Sequence, residues 1–188
     1  MNASLEQTAA RWQQGREDAD ALLAGLSPSQ FNWKPDPKRW SVGECLEHLN
    51  VLNGAYLPLV REAMRGNERQ GDPPYRYNLA GRLLINATTP EVKRKLPTTG
   101  AMNPSHGGDA SNLDPSKVLA SYHQHTGDYV AAIREAEGLD LGRVKVRSPF
   151  LPLVSFSLGA VFEALAGHNL RHIGQARRVT QEPGFPWG

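Results

Sequence analysis

Apolar residues recur at helical spacing in four long stretches of this chain, with charged residues filling the positions between them. In the first, Leu5, Ala9, Trp12, Ala19, Leu22, Leu23 and Leu26 mark one face, and Ser4 is placed to cap its start. The second opens at Ser41. Glu44 follows three residues on, the capping-box pattern, and the apolar series Val42, Cys45, Leu46, Leu49, Leu52, Tyr56, Val60 and Met64 comes after it. Pro58 is expected to bend this helix or break its last turns. A third helix should begin at Asp114 and Pro115, carry Val118, Tyr122, Tyr129, Ala132, Ile133 and Ala136 inward, and stop at Gly138. The last runs from about Ser157 to Thr180, with Leu158, Val161, Phe162, Leu165, Ile173, Ala176 and Val179 on its inner face.

Between these stretches the chain is punctuated. SPSQFNWKPDPKRW holds three prolines and three aromatics and reads as an ordered loop, because Phe31, Trp33 and Trp40 need cover. From Gly66 to Asp114 the composition is rich in Gly, Pro, Asn and Thr, with one short helix expected over Leu79 to Ala87. RVKVRSPFLPLVSF alternates weakly, but Pro149 and Pro152 limit any strand, and the evidence is too thin for a sheet. The pattern therefore predicts an all-α four-helix bundle with a long central loop region, one domain over residues 1–188.

Composition narrows the function. A chain of 188 residues can bury roughly 70% of its unfolded surface, so it needs neither disulfides nor a structural metal to fold. With 21 basic and 19 acidic residues the net charge is +2, which argues against a dedicated nucleic-acid binder. No stretch has the roughly 20 apolar residues of a membrane span, and the first residues lack an apolar signal core. The single cysteine, Cys45, forms no intrachain disulfide and fits a reducing compartment, so the cytoplasm is expected.

Six histidines carry the candidate chemistry. His168 and His172 stand four residues apart on the last helix, about 40° from each other on its wheel and inside the apolar stripe. Two imidazoles on a buried stripe need partners, since an unpaired buried polar group costs about 1–3 kcal/mol. A shared metal ion is one solution; hydrogen-bonded core histidines are the other. His48 lies at the edge of the stripe on the second helix. Three imidazoles from two facing helices would leave open coordination positions, the mark of a catalytic rather than a structural site. His125, on the third helix between Tyr122 and Tyr129, reads as a core histidine bonded to a tyrosine hydroxyl, or as a fourth ligand or outer partner. His123 points outward and His106 sits in the Gly-rich loop. Cys45, one turn before His48, reads as a small buried residue rather than a thiolate ligand. The basic groups Lys93-Arg94-Lys95 and Arg143, Lys145 and Arg147 read as solvated charges. Arg171, beside the histidine pair, is placed to hold an anionic group of a substrate.

Two segments also resemble a known family. Trp40, Ser41, Glu44, His48 and Leu49 match W-S-x-x-E-x-x-x-H-L, and His168, His172 and Gln175 match H-x-x-x-H-x-x-Q, in the order found in the DinB-like (DinB/YfiT) superfamily. The resemblance implies a four-helix bundle in which His48, His168 and His172 bind a divalent metal, zinc or nickel, at one end. Glu44 and Gln175 match the pattern without thereby being ligands. Characterised relatives include thiol-dependent S-transferases and isomerases, which implies a small-molecule substrate and a low-molecular-weight thiol as partner. Metal-assisted hydrolysis and a non-catalytic metal-binding role in stress response are the alternatives. A homodimer is suggested weakly by Trp12, Trp33, Trp187 and the apolar tail GFPWG.

Overall fold

A computed structural model describes residues 2–90, 100–104, 110–151 and 153–187. Four long helices form the body: α1 (Ala3–Leu23), α3 (Val42–Met64), α5 (Pro115–Glu135) and α6 (Leu158–Thr180), with the short α2 (Pro28–Asn32) and α4 (Leu79–Thr88) between them. Two three-residue strands, β1 (Lys145–Arg147) and β2 (Ser155–Ser157), precede α6. Each of α1 and α3 packs against both α5 and α6, so the four long helices close a ring around the core, and α4 lies outside on α6. The all-α bundle expected from the periodicity is the fold. No helix among the described residues is long and apolar enough to cross a membrane.

Capping explains most of the helix starts. Asn2, not Ser4, caps α1 by accepting from the Leu5 amide. Ser41 and Glu44 close a full capping box on α3, as the spacing predicts. Asp114 accepts from the amides of Ser116 and Lys117, and Pro115 fills the first position of α5. Pro58 does not break α3, which continues to Met64 with the proline on an exposed position.

Three features depart from the sequence reading. The stretch expected to be a loop contains α2, built on a second capping box between Ser27 and Gln30 with a proline at its first position. Its Phe31 is fully buried against Gly43, where a Cβ would stand 2.5 Å from the ring. The backbone of α3 must therefore be bare at that point. Second, α1 ends at Leu23, short of Leu26. Third, the chain does form a sheet, an antiparallel pair with Val146 opposite Phe156. Both of those side chains enter the core; Pro149 lies in the connection, outside the ladder, and Pro152 lies outside the described residues. Asn78 locks this hairpin to α4: its Oδ1 caps the helix at the Gly81 amide, while its Nδ2 donates to the Ser155 carbonyl.

Two apolar clusters fill the bundle. One centres on Trp12 and Tyr129, stacked with ring centroids 4.4 Å apart, and includes Leu52, Ile133, Val146 and Phe162. The other joins Phe31, Val42, Leu46, Tyr122, Ile173 and Val179. Phe185 of the C-terminal tail belongs to the second, whereas Trp187 stays exposed.

Candidate metal centre

His48 sits in the second turn of α3, and His168 and His172 occupy successive turns of α6, which packs against α3. That packing brings together what the chain separates by 120 residues. His48 Nε2 and His168 Nε2 are 3.0 Å apart, and one nitrogen from each of the three rings falls within 4.8 Å of the others. Two imidazole nitrogens bound to one zinc stand about 2.9–3.4 Å apart for bonds near 2.0–2.1 Å, a range that the His48–His168 pair meets.

The orientation of His48 is set from outside the helices. Its Nδ1 lies 2.6 Å from the Met102 carbonyl, on a short turn at Gly100–Met102 that packs on α3. A carbonyl only accepts, so Nδ1 carries the proton and Nε2 presents its lone pair to the other two rings. Nothing in the sequence spacing pointed to this contact, because the partner is a backbone atom in a loop.

Both His48 and His172 are buried, so the expectation of His48 at a stripe edge understates its cover. His168 keeps a partly accessible edge although its Nδ1 is buried. Trp40 covers the group, its ring 4.8 Å from His48 and 5.6 Å from His172 between centroids. Burial lowers the pKa of all three rings. For His168 it brings the value down to about 3, helped by the charges of His48 and Arg171; for His172 the charges of His168, His48 and Arg171 add to burial, and Gln175 works against them. At His48 the Met102 carbonyl opposes burial, and the direction is still down. Three neutral imidazoles, mutually repulsive once protonated, form a donor set suited to a cation. Nδ1 of His168 and of His172 are buried with no hydrogen-bond partner among the described residues. The residues present fit a divalent metal.

Other sequence candidates fall into place around this group or away from it. Glu44 is not directed at the histidines: one oxygen accepts from the Ser41 amide and the other from Lys34 at 2.9 Å. Its contacts serve the start of α3, four residues before His48. Arg171 donates to the Ala87 carbonyl at the end of α4, which ties that helix beside the site. Deeper in the same seam, Asn53 and Asn169 bond to each other, and Asn169 also donates to the Leu165 carbonyl. His125 lies outside the group, with its ring against Gly54 and its Nδ1 buried without a partner among the described residues. The expected tyrosine bond is not made; Tyr129 donates instead to the Asn53 carbonyl. His123 points outward, as expected, and pairs with Asp20. Cys45 is fully buried and burial raises its thiol well above the usual range, which keeps it protonated and inert. His106 and the Lys93-Arg94-Lys95 run lie outside the described residues.

Comparison with curated proteins and with solved structures gives no match. A family match does exist, over residues 11–176, and it spans both histidine motifs, the whole of α3 and α5 and most of α1 and α6. The chain therefore belongs to the DinB superfamily.

Proposed function

We propose that the protein is a divalent-metal-dependent enzyme whose ligands are His48, His168 and His172, acting on a small molecule with a low-molecular-weight thiol as co-substrate. One observation carries the reading: three buried imidazoles from two helices offer nitrogens within 4.8 Å of one another, one of them aimed by a backbone carbonyl. A divalent cation held there supplies a lowered pKa to a thiol or water bound to it, so that a nucleophile is available near neutral pH.

The chain's own residues do the rest. Met102 fixes the tautomer of His48, Trp40 shields the rings from water on one side, and Arg171 adds positive charge beside His168 and His172. Three protein ligands leave positions for substrate, which separates this arrangement from a closed structural site. Zinc or nickel suits an all-imidazole set. The lone buried cysteine supports a reducing, cytoplasmic setting.

The test is metal analysis of protein purified without a nickel column, followed by thiol consumption with a model electrophile. Thiol loss that requires the metal supports transfer. Metal-dependent ester hydrolysis without thiol would move the assignment to a hydrolase, and a bound metal with no exchangeable water would make the protein a non-catalytic binder. A homodimer is checked by mass in solution at micromolar concentration.

A further inference from the structure

The far end of α3 bears a second polar feature, unrelated to the histidines. From His48 to Arg65 the helix rises about 25 Å at 1.5 Å per residue, so the two places are well separated. Arg65 caps α3, and Gly66, at a positive φ of 62°, turns the chain back toward β1. Between this turn and the strand lies an open hollow of about 710 Å³, lined by Arg65, Gly66, Asn67, Glu68, Arg69 and Lys145. Three of those six residues are cations and one is acidic.

Some cations of the surface are paired with carboxylates: Lys34 with Glu44, Arg39 with Glu182, Arg61 with Asp128 and Arg177 with Asp18. Neither Arg65, Arg69 nor Lys145 has a carboxylate within 4.0 Å among the described residues. Two of them are nevertheless held in place. Lys145 Nζ donates to the Gly142 carbonyl at 2.8 Å and to Ser157 Oγ at 3.0 Å, which uses two of its three N–H groups. Arg69 Nη1 donates to the Arg143 carbonyl at 3.3 Å and leaves the rest of its guanidinium fork uncommitted. Strand alternation sends Lys145 outward while Val146 goes into the core, so the position of the ammonium follows from the register of the hairpin. Burial lowers the pKa of Lys145; the charge of Asp140 opposes it and that of Arg69 adds to it.

With Glu68 on the lining and Asp140 nearby, the three cations around this hollow still leave an excess of positive charge, which an anion from solution offsets. The size of the hollow matches small-molecule sites, which run about 300–1,000 Å³. Arginine forks and a lysine point charge together suit the clustered oxygens of phosphate better than a single carboxylate. We propose that this hollow binds a small phosphate-bearing polyanion, gripped by Arg65, Arg69 and Lys145.

Inorganic pyrophosphate titrated calorimetrically into the full chain tests it, at about 50 mM salt so that screening does not mask the contacts. Saturable binding at one site per chain is expected. Arg65→Gln and Arg69→Gln should each weaken it about tenfold, the worth of one charged hydrogen bond. Arg177→Gln, on a paired cation of α6, should leave it unchanged, and thermal melts confirm that each variant is folded. No binding, or equal affinity in the Arg65→Gln/Arg69→Gln double variant, overturns the proposal. Loss of pyrophosphate binding in His48→Ala would place the anion at the histidines instead and overturn it equally. Tighter binding of a ten-residue thymidine oligonucleotide than of pyrophosphate would replace the small ligand by a nucleic-acid backbone.

Discussion

The α1–α5 and α3–α6 seams of the same bundle are built on opposite plans. Where α1 meets α5, Trp12 and Tyr129 stack face to face, fully buried among aliphatic side chains. Where α3 meets α6, the buried residues include His48, Asn53, Asn169 and His172. The first seam lowers the free energy of the fold by removing apolar area from water. Along the second, each polar group must be matched, and the two asparagines manage this between themselves while two histidine nitrogens do not. An apolar seam makes the bundle stable enough to carry a polar one in which three imidazoles converge.

The comparison can be broken by experiment at either seam. Trp12→Ala should be the most damaging change, costing about 3–5 kcal/mol in denaturant unfolding, while zinc affinity per folded molecule stays the same. A parallel loss of metal affinity in folded protein would mean that the seams are not independent. Next comes His48→Ala, which should lower zinc or nickel affinity at least about 100-fold, beyond the effect of an outer partner. His168→Ala and His172→Ala should do the same, and a second replacement should add little further loss of function. Undiminished affinity in His48→Ala would dissolve the cross-helix site.

Acid should act on the polar seam and on His125, whose pKa burial also lowers. The folded-state pKa values of His48, His168 and His172 lie below the usual 6.5, so the unfolded chain takes up protons that the folded chain refuses. Stability of the metal-free protein should therefore be full above about pH 6.5 and fall as pH drops from there toward about 3, the value at His168. Urea midpoints against pH would show the slope, which should flatten in a variant with all three histidines replaced. The same depression carries metal binding to lower pH than the ordinary histidine value of about 6.5 would allow. Chelation at neutral pH should leave the helical circular dichroism intact, because the Trp12 seam holds the bundle; collapse on chelation would make the ion structural. Smallest of all is His123→Ala. Its exposed pair with Asp20 contributes between about 0 and 1 kcal/mol, and metal affinity should not change.

Much of this was legible in the chain because helices are local. Periodicity placed the four long helices, the Ser41–Glu44 box marked where α3 begins, and the four-residue spacing of His168 and His172 put two rings on one face. A similar local signal, Ser27 with Gln30 behind a proline, marked α2 and was obscured by the prolines around it. The hairpin escaped for a different reason: strands of three residues carry too few alternations to be told from loop. Around the site, sequence spacing supplied the ligand types but not their arrangement. That His48 is buried rather than at an edge, that Met102 fixes its proton, that Trp40 covers it and that His125 stays outside are all decided by contacts between distant segments. What the sequence determined by itself is the set of helices and the chemistry each face presents, since both follow from backbone geometry within a few residues. What only the tertiary structure decided is which faces meet, because burial and the 3.0 Å approach of His48 to His168 depend on packing across 120 residues, where no local rule reaches.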